Sequence, residues 1–239
     1  MIDLHSHVLP GIDDGSRDPE MSLAMLSALK DQGVDTVAAT PHFYPTEMTP
    51  DTFFERRQAA FEALRESTDA LPVDLRLGAE VQYFEGIQRL SGLREFCISG
   101  TELFLLEMPF TRWDERMLRS VVDLSAGNGL TVVLAHIDRY LSMQPQETWK
   151  MLADQGVLMQ VNAEFFLNRW TRKKALRLFR SGLVQFVGSD CHDLVKRPPN
   201  IASAVDVLEK KLGGEAVVYL DRVESVWLRD PEQAPAAEY

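Results

Sequence analysis

Short apolar runs alternate with longer amphipathic stretches along the chain. The runs cover residues 2–4, 34–40, 75–81, 103–108, 130–135, 157–161 and 184–189, and they are nearly continuous rather than alternating. Strands buried on both faces of a parallel sheet read this way. Between them, residues 19–32 place Leu23, Met25, Leu26 and Leu29 at helical spacing, with Pro19 in the first turn and Gly33 past the end. Residues 52–71 bring Phe53, Phe54, Phe61 and Leu64 near one face, and residues 115–126, 146–155, 172–181 and 201–212 follow the same logic. Gly33, Gly156 and Gly182 each close a helix just before the next strand. Strand alternating with helix implies βαβ units and a parallel sheet. Seven such units predict an α/β fold, closed or nearly closed into a barrel, an architecture of about 250 residues. The 239 residues therefore suit one domain over 1–229, and the acidic, Pro- and Ala-bearing segment 230–239 is expected to fray. No repeat, low-complexity stretch or linker interrupts this pattern.

The polar residues at the ends of these runs point to chemistry. All five histidines, His5, His7, His42, His136 and His192, stand at or just after the end of a run. With Glu80, Glu107, Asn162 and Asp190 they put a metal-capable or polar residue at the same end of every run. In an α/β barrel that end builds the active site, and neutral imidazole is the commonest protein metal ligand. His5-x-His7 and Asp190-x-His192 each place two such side chains on one face, because strand side chains alternate. Asp13-Asp14-Gly15 is a turn signature in its own right, but it falls in the first strand-to-helix loop, beside these residues. Buried carboxylates such as Glu80 and Glu107 need a partner or a cation. Any one of the histidines reads equally well as a satisfied core or loop residue; the constellation drawn from seven segments does not. Mixed imidazole and carboxylate donors suit Mn, Fe or Zn better than a sulfur-rich structural zinc site. About eight or nine ligands are too many for one ion, so two or three ions sharing a bridging carboxylate are expected, as in two-metal phosphoester chemistry.

Charge and cysteine content narrow the class. A net charge of −11 argues against a protein held to nucleic acid by a basic surface. Two cysteines, Cys97 and Cys191, imply no disulfide framework and fit a reducing compartment. The start shows no basic segment followed by an apolar one, and no apolar run approaches the roughly 20 residues of a membrane span. A cytoplasmic protein without an integral membrane segment is expected. Cys191 and Arg197 show the Cys-x5-Arg spacing of cysteine-dependent tyrosine phosphatases, in which backbone N–H groups wrap the phosphate and a thiolate attacks. Here no glycine lies between them and candidate ligands flank the cysteine, so the spacing reads as coincidence. Phe43-Tyr44, Phe165-Phe166 and Trp170 either line a pocket for a phenyl ring or belong to the core.

Asp3-Leu4-His5-Ser6-His7, Thr40-Pro41-His42, Gly78-Ala79-Glu80 and Ser189-Asp190-Cys191-His192 resemble the motifs of the polymerase-and-histidinol-phosphatase (PHP) superfamily. The opening IDLHSHVLPGIDDGS, Leu106-Glu107-Met108-Pro109, His136-Ile137-Asp138-Arg139-Tyr140 and Gln160-Val161-Asn162-Ala163 are similar to one branch of it, the bacterial manganese-dependent protein-tyrosine phosphatases of the CpsB/CapC family. The resemblance runs from residue 1 to about residue 212. It implies a distorted seven-stranded (β/α)7 barrel of the PHP type with three divalent ions, Mn2+ first and Fe or Zn as alternatives. By position, His5, His7, Glu80 and Asp190 would hold the first ion, and Glu80 would bridge to a second held by Glu107 and His136. Asp14, His42 and His192 would hold the third, with Asp13 competing for the place of Asp14. Arg139 and Arg197 match arginines placed at the substrate phosphate. The family usually shows Pro-Glu where this chain has Ile137-Asp138; Asp138 keeps the charge and, with His192, is a candidate proton donor to the leaving group. The implied partner is a phosphotyrosine protein, an autophosphorylating tyrosine kinase of capsule or exopolysaccharide synthesis. A small phosphomonoester such as histidinol phosphate, a nucleic acid substrate and a non-catalytic metal-binding module are the competing readings.

Overall fold

Parallel strands and helices alternate through residues 1–228, the part of the chain that the computed structural model describes; the tail expected to fray at 230–239 lies outside the described residues. In chain order the elements are β1 (Ile2–Ser6), α1 (Pro19–Asp31), β2 (Thr36–Ala39), β3 (His42–Phe43), α2 (Pro50–Glu66), β4 (Asp74–Leu77), β5 (Glu80–Gln82), β6 (Leu103–Glu107), α3 (Glu115–Asn128), β7 (Thr131–Leu134), α4 (Gln146–Asp154), β8 (Leu158–Asn162), α5 (Glu164–Leu167), α6 (Arg172–Arg180), β9 (Phe186–Gly188), α7 (Ile201–Leu212) and α8 (Gly214–Leu228). The strands form a three-stranded sheet, β1–β2–β4, and a six-stranded sheet, β3–β5–β6–β7–β8–β9. Every pairing is parallel. Past the edge of the six-stranded sheet, Asp190 N–H donates to His5 O at 2.8 Å and His7 N–H donates to Cys191 O at 3.0 Å. The parallel sheet is thus curled, and its last strand meets its first.

Seven apolar runs become nine strand segments among the described residues. The third run divides at Gly78-Ala79, and past the end of the second, across Thr40-Pro41, β3 adds a further short segment. Pro41 has no N–H for a ladder. Pairing nevertheless carries across both breaks, through Gly78 N–H to Ala39 O at 2.8 Å and Glu80 N–H to Pro41 O at 3.0 Å. His42 and Glu80 therefore open β3 and β5 at the breaks; they do not end the longer strands that the sequence pattern predicts. β1 carries a register shift between Asp3 and Ser6. Below it Ile2 and Leu4 pack inward with Ala38, Leu105, Val133 and Phe186; above it His5 and His7 face one another. Such irregularities re-aim side chains beside active sites. The larger outer core lies where the helices pack on the sheet, with Met25, Leu26, Phe53 and Leu124 among its buried members.

Helix α8 is an element the sequence pattern does not single out. Its buried face is Ala216, Leu220, Glu224 and Leu228, and Leu228 closes the inner cluster at the end away from the histidines. Glu224 is buried and its Oε2 accepts from Ile2 N–H at 3.0 Å. Burial pushes its carboxyl up to about 8. The folded state then holds this proton over a range where the unfolded chain, near 4.5, has released it, so the contribution of Glu224 to stability falls as pH rises from about 4.5 to 8. Glu224→Gln is expected to flatten that decline and to raise stability at pH 8 by a few kcal/mol, on the order of the linkage energy. Urea unfolding at pH 5 and pH 8 checks it; equal wild-type and variant midpoints at pH 8 would remove the buried-proton account.

Candidate metal centre

The five imidazoles and four carboxylates converge at the end of the sheet where β1, β6, β8 and β9 finish and β3 and β5 begin. Glu80, fully buried, is the hub. Its Oε2 lies 3.1 Å from His5 Nε2, 3.3 Å from His7 Nε2 and 3.0 Å from His42 Nδ1, and its Oε1 lies 2.7 Å from His136 Nε2. Asp190 Oδ1 closes the same space at 3.6 Å from His5 Nε2 and 3.4 Å from His7 Nε2. On the outer side Asp14 Oδ1 stands 3.5 Å from His42 Nε2 and 3.3 Å from His192 Nε2. Three groups of donor atoms lie within 4.8 Å of one another: His5, His7, Glu80 and Asp190; His42, Glu80 and Glu107; His7, Asp14, His42 and His192. The resemblance places His136 with Glu80 and Glu107. The geometry puts His42 with that pair, while His136 Nε2 sits 3.7 Å from Glu107 Oε1.

Neighbouring residues fix which ring nitrogen faces inward. His7 Nδ1 meets Asp13 Oδ2 at 2.7 Å, His5 Nδ1 meets Gln160 Oε1 at 3.3 Å, and His192 Nδ1 meets the Asp190 carbonyl at 3.0 Å. With Nδ1 the donor in each ring, Nε2 presents a lone pair to the centre. His5 Nε2 and His7 Nε2 then face each other at 3.2 Å, with two carboxylate oxygens beside them. Such an arrangement of acceptors is repulsive by itself and suits a cation. The same conclusion follows from His42 Nδ1, Glu80 Oε2 and His192 Nε2, which are buried and make no hydrogen bond. A carboxylate or carbonyl behind the ring, as His5, His7 and His192 have, is the usual support of a metal-binding histidine.

The two acids of the first loop take different places. The Asp13 carboxylate is only 5 % exposed, accepting from His42 N–H at 3.1 Å and from Gly15 N–H at 2.9 Å besides holding His7. Asp14 is 71 % exposed on its side chain and reaches inward only through Oδ1. The electrostatics follow from this packing. Burial opposes the charged ring of His7, yet Asp13 raises its pKa well above the usual imidazole range. Burial likewise opposes ionised Glu80 and Asp190, but His5 above all holds both carboxyls well below the usual range. Glu107 is lifted to about 7 by burial and by Glu80. His192 is held down to about 4 by burial, His7 and Arg197. The two non-glycine residues with positive φ among the described residues are His136, at +31°, and Asp190, at +52°. Both are in this cluster, and backbone strain of this kind concentrates at functional sites.

A cleft of ≈ 520 Å³ opens beside the cluster, lined by Asp138, Arg139, Asn162, Asp190 and Arg197. Arg197 lies 2.6 Å from Asp190 Oδ2, Arg139 donates to the same oxygen, and Asn162 Nδ2 donates to it at 2.7 Å. Asp138 accepts from Asn162 N–H at 3.0 Å, and burial raises its carboxyl to about 6. Cys191 points away into the core, and burial pushes its thiol pKa up, the reverse of an activated thiolate. Of the aromatic candidates, Phe43 and Phe166 are core, Phe165 is buried at the edge of the arginine cleft, and Tyr44 stacks on His42 with ring centroids 4.9 Å apart. Trp170 stands exposed at the surface. Gln160, which sequence reasoning leaves within a motif, is a hub of its own. It accepts from His136 N–H at 2.6 Å, supports His5, and donates to Asn162 Oδ1 at 3.0 Å. Gly188 makes room for it, since a Cβ there would come within 2.8 Å of both Gln160 Nε2 and His5 Cβ.

The chain is 29 % identical to the tyrosine-protein phosphatase CpsB of Streptococcus pneumoniae over 90 % of its own length and 92 % of that protein's. It is 28 % identical to the tyrosine-protein phosphatase YwqE of Bacillus subtilis, covering 96 % of this chain and 92 % of the relative. Its fold superposes on a crystal structure from work on YwqE and CpsB, described as unique metal-dependent tyrosine phosphatases, with a TM-score of 0.82 at 26 % identity, over 96 % of this chain and 95 % of that one. Residues 1–225 match the CpsB/CapC family of capsular polysaccharide synthesis, and the chain belongs to that family.

Proposed function

We propose that this chain is a metal-dependent protein-tyrosine phosphatase. The observation that carries the reading is the ring of inward-facing acceptors around Glu80, with two arginines in the adjoining cleft; the family and the names of its members support it. His5, His7, Glu80 and Asp190 would hold one divalent ion, Glu80, Glu107 and His136 a second, and Asp14, His42 and His192 a third. The donor set suits Mn2+, with Fe or Zn as alternatives. Bound there, divalent ions supply Lewis acidity toward phosphoryl oxygens and a water nucleophile at neutral pH. The chain's own residues do the rest. Asp13 orients His7, which leaves Asp14 as the outward ligand. Arg139 and Arg197 would grip non-bridging oxygens of a phosphomonoester dianion, for which the forked guanidinium is shaped. Asp138, lifted by burial to about 6, would hold a proton for the leaving phenolate oxygen. In this reading β2–β3 and β4–β5 are each one strand broken at the site, and the sheets act as one distorted seven-stranded (β/α)7 barrel.

The proposed substrate is phosphotyrosine on an autophosphorylating tyrosine kinase of capsule or exopolysaccharide synthesis, met in the cytoplasm. The family's link to capsular polysaccharide synthesis supports it. No helix among the described residues is long and apolar enough to cross a membrane. With Mn2+ present, a phosphotyrosine peptide should be hydrolysed faster than histidinol phosphate or single-stranded DNA; a clear preference for either of the others sinks the tyrosine-phosphatase assignment. Cys191→Ala should keep most of the activity, because the thiol is buried away from the cleft. A collapse in that variant, with the fold intact by circular dichroism, would restore a cysteine mechanism.

A further inference from the structure

Helix α6 concentrates positive charge in an acidic chain. Residues 169–180 hold six of the 25 Lys and Arg residues and no Asp or Glu, against a net charge of −11. Three of them, Arg172, Lys173 and Lys174, stand in the first helical turn, where the helix dipole disfavours cations. No acid and no side-chain cap offsets them there, whereas α1, α2 and α3 each begin with both. Lys174 is half-buried, and burial together with Arg177 pushes its pKa down. None of the six makes an ion pair among the described residues. Local electrostatics therefore favour an anionic partner along this helix.

The ridge borders two concavities. Near its N-terminal end, Asn168 and Thr171 line the cleft that holds Arg139 and Arg197. On another face, Lys174 and Arg177 line a groove of ≈ 720 Å³ against α4, whose apolar wall includes Trp149 and Leu178. Asp154, the one acid among its described lining residues, is paired with Lys150 at 2.7 Å. Nine helical residues span about 13 Å, the reach of about four extended residues.

We propose that α6 and the α4–α6 groove dock an acidic peptide segment flanking the substrate phosphotyrosine, a proposal that rests on the phosphotyrosine reading above. Carboxylates would meet Lys174 and Arg177 while aliphatic stems lie on the apolar wall. A flat lipid surface would leave the groove unfilled.

The test uses the full chain with Mn2+ and three phosphotyrosine peptides of equal length, with acidic, neutral or basic residues around the fourth position from the phosphotyrosine. Free phosphotyrosine serves as a fourth substrate, and a fluorescein-labelled acidic peptide without phosphate reports binding by anisotropy. Wild-type protein should prefer the acidic over the neutral peptide by about five- to tenfold in kcat/KM, through KM, and less so at high salt. The variant K174E/R177E should lose both the preference and the labelled peptide while turning over free phosphotyrosine as before; K174Q/R177Q should do the same more weakly if the glutamates disturb the helix. Labelled peptide bound by wild type and not by the variant, with no phosphotyrosine turnover at all, would keep the docking surface and discard the activity. Equal rates on the three peptides with no labelled-peptide binding would overturn the proposal and leave the phosphatase standing. Anionic phosphatidylglycerol vesicles bound through α6 without any peptide preference would overturn it in favour of a lipid surface.

Discussion

Glu80→Gln should lower kcat/KM on a phosphotyrosine peptide by about 10³-fold, even at saturating Mn2+. The change keeps the shape of the side chain and removes one negative charge. That charge lies beside four imidazoles, at 2.7 Å from His136, 3.0 Å from His42, 3.1 Å from His5 and 3.3 Å from His7. It is also the one carboxylate common to two of the three donor groups. Metal assistance contributes several kcal/mol of transition-state stabilisation, and each 1.36 kcal/mol is tenfold in rate; losing a bridging ligand forfeits most of it. Titration calorimetry should show fewer or weaker Mn2+ sites in the variant. A variant with wild-type stoichiometry and only a few-fold loss of rate would deny Glu80 its central place.

Gly15→Ala, a single methyl group in the first loop, should damage the site less than Glu80→Gln but the fold more. A Cβ there would fall 2.3 Å from His7 O and 2.5 Å from His7 Cβ. The His7 backbone cannot yield cheaply, because its N–H is tied to Cys191 O at 3.0 Å and its carbonyl accepts from Ser16 N–H at 3.0 Å. The loop must move instead, and it takes with it the Asp13 carboxylate that fixes His7. Overpacking of this kind costs about 1–3 kcal/mol, which at this chain length lowers Tm by roughly 2–12 °C. Loss of a ligand's supporting partner typically costs 10–100-fold in metal affinity or activity, and kcat/KM should fall by about that much. Gly127→Ala is the matched control, since nothing lies within 4 Å of a Cβ there. Gly15→Ala with the Tm and activity of that control would show that the close approach does not constrain the loop.

The site is more legible in the sequence than the sheet around it, and the reasons are physical. Histidines and acids at the ends of apolar runs stand out as a set, because nothing in a packed core calls for so many of them there, so His5, His7, His42, His136, His192, Glu80, Glu107 and Asp190 can be picked out together, and the fold gathers them. Asp13 and Asp14 cannot be separated by pattern, because adjacent residues of one turn share every local signal; only packing sends one to His7 and leaves the other exposed. Gln160 is hidden because a neutral amide inside an apolar run carries no charge signature, although it supports His5 and the His136 backbone at once. The strand breaks do leave a trace, in Pro41 and Gly78. The continuous ladder across them explains why the runs read as single strands. Helix α8 escapes notice because Gly213-Gly214 reads as a stop and because Glu224 interrupts its apolar face.

The measurement that tests the central claim most directly is hydrolysis of a phosphotyrosine peptide by chelator-stripped protein, before and after adding Mn2+. The account predicts activity only after the metal is restored, in wild type and in Cys191→Ala alike. Equal activity with and without metal would contradict it.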